Sequence, residues 1–141
     1  MEIITVVIAE DHPSVRQGIK SLLGRSSDIN VIGVAGNGRE AVDLVGKLCP
    51  DILVLDINMP IMDGFQVLEE LQKQKTKTRV IVLSGLMDKS LIADLYTLGA
   101  WGFYVKEDGP EVLVKAIHQA IKEREIKTKT GLISQAKLSE N

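Results

Sequence analysis

The sequence predicts an α/β fold, a three-layer sandwich in which a five-stranded parallel sheet is covered by five helices on its two faces. Two observations predict it. Short runs rich in β-branched residues alternate along the chain with stretches whose apolar residues recur at helical spacing. Each connection between successive runs contains a helix, as the crossover between parallel strands requires. With 141 residues, the chain is long enough for one domain with its own core.

The predicted strands are short, and four of them end at a functional group. The first, IITVVIA, is followed by Glu10 and Asp11. The second, NVIGVA, is weaker because Gly33 interrupts it. The third is apolar until it stops at Asp56, which is typical of a strand buried on both faces. In chain order, the predicted strands are 3–9, 30–35, 51–56, 79–83 and 101–105.

Each predicted helix is marked by apolar residues that share one face. Pro13 and Pro110 fall in the first turn of the first and fifth helices, and Pro50 stops the second helix. In chain order, the face residues are Val15, Ile19, Leu22 and Leu23; Ala41, Leu44, Val45 and Leu48; Phe65, Val67, Leu68 and Leu71; Leu91, Ile92, Leu95 and Leu98; and Leu113, Ala116, Ile117, Ala120 and Ile121.

The alternating pattern fades after about residue 122. We therefore expect residues 1–124 to form the domain. Residues 125–141 are predicted to be a polar tail or the start of a linker, whose early part would extend the fifth helix.

Composition narrows the classes of function. The formal net charge of -2 argues against a protein that binds nucleic acid through bulk positive charge. No apolar run approaches the roughly 20 residues of a membrane span, and the start lacks a basic signal region, so no membrane contact is expected. The single cysteine, Cys49, cannot form an internal disulfide, which favours a cytoplasmic location.

Polar groups collect at the ends of the predicted strands. Glu10 and Asp11 follow the first strand, Asp56 ends the third, Ser84 follows the fourth and Lys106 follows the fifth. In a parallel sheet these ends meet at one edge, where open α/β sheets place their ligands. Each residue alone has a simpler reading: a helix cap, a turn residue or a solvated lysine. Because four strands end in this way, the pattern favours a functional site at this edge over four unrelated residues.

The residue types in this predicted site suit phosphoryl transfer. Crowded carboxylates repel, by about 4 kcal/mol for a pair about 4 Å apart at an effective dielectric near 20. Lys106 can neutralise one charge, and a hard divalent cation such as Mg²⁺ suits the remaining oxygens. Asp56 would then accept a phosphoryl group whose oxygens contact Ser84, Lys106 and the metal, and Gly85 would leave room for its approach.

These residues resemble the receiver domain of response regulators in two-component signalling, the CheY-like superfamily. The matched pieces are Glu10-Asp11, Asp56 within LDINMPIMDG, Ser84-Gly85 and Lys106, in the right order and at fitting intervals. The resemblance covers residues 3 to about 122. It implies a flavodoxin-like fold with strand order 2-1-3-4-5.

The resemblance implies a role for each acidic residue of the site. Asp56 would be the phosphoacceptor, supplied by a sensor histidine kinase. Asp11, Asp56 and the backbone carbonyl of Asn58 would bind Mg²⁺, and Glu10 would act largely through water. The domain would be a phosphorylation switch that assists its own phosphotransfer and autodephosphorylation, not an enzyme with an outside substrate.

It also implies how the modification would be read out. Ser84 and Lys106 would contact the phosphoryl oxygens. Tyr104 would be the aromatic switch residue, turning inward as Ser84 moves toward the phosphate. The surface formed by the fourth helix, fifth strand and fifth helix would then meet the output partner, and phosphorylation could drive homodimer formation.

Within the family, the segment VVIAEDHPSVRQGIKSLL looks most like the NarL/FixJ (LuxR-type) transcriptional regulators. Those carry a helix-turn-helix domain after a linker, whereas this sequence ends at KLSEN. We therefore expect an excised receiver, in preference to a natural stand-alone one, with DNA binding belonging to the absent output domain. Many receivers have a cis proline after the conserved lysine; here Glu107 follows Lys106, so a cis bond is not expected.

Two alternatives remain at this point. One is an aspartyl-phosphate enzyme similar to haloacid-dehalogenase-like phosphatases, although Asn58 stands where such enzymes need an acid. The other is a degenerate receiver that only binds a partner. Neither His12 nor His118 is assigned a catalytic role, because the two are not spaced as metal ligands.

Overall fold

The computed structural model describes residues 2–85 and 89–130, with side chains described at 2–85 and 90–123. The described residues form five strands and five α-helices in strict alternation. In chain order they are β1 (Ile4–Ala9), α1 (Pro13–Leu23), β2 (Ile29–Ala35), α2 (Gly38–Leu48), β3 (Ile52–Asp56), α3 (Gly64–Lys73), β4 (Arg79–Ser84), α4 (Lys89–Thr97), β5 (Gly102–Val105), a 3₁₀ turn (Lys106–Asp108) and α5 (Pro110–Thr130).

The strands form one parallel sheet in the order β2-β1-β3-β4-β5. This confirms the predicted α/β class and the strand order 2-1-3-4-5. β3 is central and fully buried, so the apolar run before Asp56 reflects helices on both of its faces. The predicted weakness of the second strand is visible as an irregularity: Val6 pairs with Val31 but Val7 pairs with Gly33, so Ile32 is an extra residue in β2.

Alternating side chains of the sheet divide the core into two layers. On one face, Leu53 and Leu55 pack beneath α2, α3 and α4; we call this the α2–α4 face. On the other, Val54 packs beneath α1 and α5; we call this the α1/α5 face. Each fully buried aliphatic side chain contributes about 1.5–3 kcal/mol relative to exposure. The two layers therefore hold the sheet, and with it the strand ends, in fixed register.

Two close contacts hold the loop that follows β3. A Cβ at Gly38, the first residue of α2, would clash with the Met62 carbonyl oxygen, so the loop packs directly on the helix backbone. A Cβ at Gly64 would lie 2.8 Å from the Ile57 Cα. Asp63 caps α3 through a capping box with Gln66. The segment beginning at Asp56 is thus fixed at both of its ends.

The C-terminal part of the described chain confirms the predicted extension of the fifth helix. Helix α5 continues to Thr130, through the predicted domain boundary at residue 124. Residues 125–130 of the predicted tail are therefore helical, which agrees with a segment free of glycine and proline. The predicted tail at 131–141 lies outside the described residues. Within the described part of the chain, no helix is both long enough and apolar enough to cross a membrane.

Candidate functional site

The sheet brings the predicted site residues to one edge. Asp56 and Ser84 are the last residues of β3 and β4, and Glu10 and Lys106 directly follow β1 and β5. Registers align these ends: Ala9 pairs with Leu55, Asp56 with Leu83, and Ser84 with Val105. Polar residues contributed by four separate strands therefore lie side by side at the carboxyl edge.

An acidic cluster forms the centre of this edge. Glu10, Asp11, His12 and Asp56 each offer one ligand atom, and these atoms lie within 4.8 Å of one another. Glu10 is fully buried and Asp56 is 5% exposed, whereas Asp11 is half-buried and His12 is exposed. Two carboxylates buried this deeply need compensation, because burial penalises the charged form.

Lys106 supplies part of that compensation, and it does so at Glu10. The Lys106 ammonium nitrogen Nζ donates to Glu10 Oε1 at 3.2 Å. The His12 backbone N–H donates to Glu10 Oε2, also at 3.2 Å. Burial raises the pKa of Glu10, but hydrogen bonds from Asp56, the His12 backbone and Lys106 outweigh it and lower the pKa to about 2. Glu10 is therefore the ionised member of the pair.

The pKa of Asp56 is shifted in the opposite direction. Burial, a hydrogen bond with Glu10 and the negative charge of Glu10 raise the pKa of Asp56 to about 6. The Lys106 charge and the Asn58 backbone N–H, which donates to Asp56 Oδ1 at 3.3 Å, oppose the rise without cancelling it. Below about pH 6 the two carboxyl groups thus share one proton, which resides on Asp56. Above that pH, Asp56 is ionised in the metal-free site.

The remaining oxygens suit a hard divalent cation. Asp11 Oδ1 is buried and makes no hydrogen bond to the described residues, although His12 Nδ1 lies 3.2 Å away. A buried oxygen without a donor is costly, and a cation would satisfy it together with Asp56. The donor set of carboxylates, with Asn58 next to it in the loop, is the oxygen-rich kind that Mg²⁺ prefers.

His12 is a contact that the sequence prediction missed. Its ring nitrogen Nδ1 lies 3.3 Å from Glu10 Oε2 and 3.2 Å from Asp11 Oδ1. Its position directly after two acids was the available signal. His118 lies elsewhere: its Nε2 contacts Asp28 Oδ2 at 2.7 Å, near the opposite edge of the sheet.

The structure does not bring Tyr104 together with Ser84. In β4, Val82 belongs to the α2–α4 face and Leu83 to the α1/α5 face, so alternation places Ser84 on the α2–α4 face. Tyr104 is buried in the core of the α1/α5 face. Its hydroxyl donates to the Gly109 carbonyl oxygen at 2.6 Å. The switch role predicted for Tyr104 therefore needs correction, since the sheet separates it from Ser84.

Phe103 is the aromatic residue on the same face as Ser84. It packs against the core of the α2–α4 face, and its ring meets that of Tyr96 in α4 edge to face, with centroids 6.3 Å apart. The sequence contains the two aromatics side by side in a four-residue strand. Periodicity in so short a strand does not decide which one faces α4. Among the described residues no peptide bond is cis.

Comparison with known proteins identifies the family. The sequence profile of the response regulator receiver domain matches residues 6–118. The chain belongs to the response regulator receiver family. Receivers are phosphorylation switches of two-component systems, and response regulators interact with sensor histidine kinases. Because members of this family are switches, the assignment argues against the alternative of an enzyme that acts on an outside substrate.

Relatives of the receiver place it in the NarL/LuxR family, whose members usually control transcription. It is 37% identical over 116 residues to the nitrate/nitrite response regulator NarL of Escherichia coli, covering 82% of this chain and 54% of that protein. The signal receiver domain of NarL from Mycobacterium tuberculosis superposes with a TM-score of 0.83 at 34% identity, covering 86% of this chain and 98% of that one. A LuxR-family regulator from Staphylococcus aureus superposes at 0.79 and 27%, covering 84% and 98%. The chain spans about half the length of the curated relatives it matches.

Proposed function

We propose that this receiver accepts a phosphoryl group on Asp56 from a sensor histidine kinase and thereby controls an output domain that regulates transcription. The observation that supports this proposal most directly is the buried Asp56 at the end of β3, held against Glu10 and beside Lys106. Of the described carboxylates, Asp56 combines burial, a raised pKa and a position at the carboxyl edge. These are properties of a group selected for reaction.

The transfer would proceed as an in-line displacement. A carboxylate oxygen of Asp56 attacks phosphorus, the bond from phosphorus to the donor histidine nitrogen breaks, and the nitrogen keeps the electron pair. The reaction needs the ionised form of Asp56, which predominates above about pH 6 in the metal-free site and would be favoured further by bound Mg²⁺. Mg²⁺ held by Asp11, Asp56 and the Asn58 carbonyl, with Glu10 acting through water, would neutralise charge on the phosphoryl oxygens.

Two further side chains would bind the modified aspartate. Ser84 would donate its hydroxyl hydrogen to one phosphoryl oxygen, and Lys106 would pair its ammonium with another. Lys106 now contacts Glu10 at 3.2 Å, so it needs only to exchange one oxyanion for another at the same edge. The same groups would support autodephosphorylation, in which water replaces the Asp56 oxygen at phosphorus.

The readout would pass through the α2–α4 face. Ser84 and Phe103 share that face, and Phe103 contacts Tyr96 of α4. Movement of Ser84 toward a phosphoryl oxygen would therefore change the packing around Phe103, and not that around Tyr104. We assign the aromatic switch role to Phe103 and the output surface to α4, β5 and α5. Residues 1–124 would be the signalling unit, working in the cytoplasm, and homodimer formation on phosphorylation would be one form of output.

Intact-mass spectrometry after incubation with acetyl phosphate tests the proposal. We expect a single phosphoryl adduct with Mg²⁺ present, none with EDTA, and none in Asp56→Asn. Asp43→Asn is the matched control, because Asp43 is an exposed aspartate of α2 and should label as the wild type does. An adduct that persists in Asp56→Asn would contradict the assignment. Loss of both labelling and Mg²⁺ binding in the wild type would favour a receiver that only binds a partner.

A further inference from the structure

Glu107 places a carboxylate beside Gly85, the residue that directly follows β4. It lies in the 3₁₀ turn after Lys106, and its Oε1 is 3.6 Å from the position that a Cβ on Gly85 would occupy. No other atom of the described residues, apart from Gly85 and its chain neighbours, comes within 4 Å of that position. The Glu107 side chain thus reaches from the end of β5 across to the end of β4.

That position adjoins the proposed phosphoryl site. Ser84 pairs in register with Val105, so the segments Ser84-Gly85 and Lys106-Glu107 leave the sheet side by side. A phosphoryl group on Asp56, at the end of β3, would lie beside Ser84-Gly85, and Glu107 approaches Gly85 from the β5 side. The Glu107 carboxylate would then be its negatively charged neighbour, an inference that rests on the function proposed above.

Repulsion between the Glu107 carboxylate and a phosphoryl group would affect phosphorylation even though Glu107 is exposed to solvent. A phosphoryl group carries about -1.5 to -2 charge, and the Glu107 carboxylate at the end of β5 would repel it through water. This repulsion corresponds to a roughly three- to tenfold decrease in the rate or equilibrium constant of phosphorylation at low ionic strength. Added salt weakens it. Glu107 makes no ion pair with the described lysines, arginines and histidines that would remove this charge.

We propose that Glu107 is an electrostatic gate that opposes entry of anionic phosphoryl donors and lowers the occupancy of the phosphorylated state. Its main effect is on small anionic donors, which bring little binding energy of their own. With acetyl phosphate, the bond from phosphorus to the acetyl oxygen breaks, acetate leaves with the electron pair, and the Asp56 oxygen bonds to phosphorus. Glu107 repels the donor before this step and takes no part in it.

Time courses of adduct formation with acetyl phosphate and Mg²⁺, on the full chain, test the gate. We expect the labelling rate to rise in the order wild type, Glu107→Gln, Glu107→Lys, with roughly a three- to tenfold gain for glutamine at low ionic strength. The gain should shrink toward onefold near 1 M salt, where the Debye length is about 3 Å. Asp108→Asn and Asp108→Lys make the same charge changes at an exposed neighbour in the same turn, and should alter the rate less than twofold.

The outcomes separate this inference from the proposed function. Equal rates for the Glu107 and Asp108 variants, or gains that survive high salt, would overturn the gate while Asp56 labelling stands. If acetyl phosphate labels no variant, the affinity for the beryllium trifluoride anion with Mg²⁺, read by mass or fluorescence, replaces the rate. The same order of variants is expected, and an unchanged affinity in Glu107→Gln would overturn the gate.

Discussion

Glu10 and Asp56 form a buried acid pair whose two members titrate in opposite directions. The pKa of Glu10 falls to about 2 because hydrogen bonds outweigh its burial, and that of Asp56 rises to about 6 through burial and the nearby Glu10. Sequence spacing predicted that these residues would meet at one edge. It did not predict that Lys106 would bond to Glu10, because this choice depends on side-chain packing.

The raised pKa of Asp56 predicts a pH-dependent cost to the metal-free fold. Between about pH 4 and 6 the folded protein binds a proton that the unfolded chain has released, so stability falls as pH rises through this window. Lowering of the Glu10 pKa acts oppositely, adding stability between about pH 2 and 4.5. In EDTA at neutral pH, Asp56→Asn should therefore raise the free energy of unfolding by about 1–3 kcal/mol.

Urea unfolding across this pH range measures the effect. The gain from Asp56→Asn should disappear near pH 4, where Asp56 is protonated in the folded protein. Asp43→Asn, at an exposed position, should show no such dependence. A gain in Asp56→Asn that stays constant from about pH 4 to 8 would show that charge is not its cause.

At the scale of elements, the order of strands and helices was predictable from the sequence. The face to which individual side chains point was not. β3 was readable from its unbroken apolar run, and α1, α2 and α5 from the prolines at their ends. The assignment of Tyr104 failed because β5 has only four residues and carries aromatics on both faces. The packing of Gly38 against Met62 was also invisible, since it joins segments far apart in sequence.

Gly38 and Gly18 form a matched pair of glycines for testing how tightly α2 holds the loop after Asp56. In Gly38→Ala the new methyl group would clash with the Met62 backbone, and we expect a loss of about 2–4 kcal/mol in the free energy of unfolding. Gly18 lies within α1 with nothing within 4 Å of an added Cβ, so Gly18→Ala should gain about 0.5–1 kcal/mol. Urea unfolding at neutral pH compares them, and a neutral Gly38→Ala would show that the loop can move away freely.

At the scale of the whole molecule, the sheet separates two sets of contacts, one on each of its faces. The carboxyl edge carries the acid cluster, and the α2–α4 face connects that edge to α4 through Phe103 and Tyr96. On the opposite face, Tyr104 ties β5 to the start of α5 through Gly109, and the Trp101 indole N–H donates to Glu123 Oε2 at 3.0 Å. These contacts hold α5 on the sheet, so we expect α4 to be the element that responds.

This division predicts different results for the two neighbouring aromatics. Amide chemical shifts recorded with Mg²⁺ and the beryllium trifluoride anion should change in β5 and α4 of the wild type. In Phe103→Ala the anion should still bind, but the changes in α4 should be lost. Tyr104→Phe, which removes the bond to Gly109, should cost about 1 kcal/mol of stability and keep the changes in α4. The reverse pattern would restore the switch role to Tyr104.

The strand order also bears on how the chain folds as it leaves the ribosome. β1 pairs with both β2 and β3, so the first three strands can associate as soon as residues up to Asp56 have emerged. That partial sheet already brings the two buried acids together, yet the ammonium of Lys106 arrives only when the last strand docks. Repulsion between the two carboxylates would oppose such a partial sheet until Lys106 is in place. The groups that would later carry the signal would thus also favour docking of the last strand onto the first three.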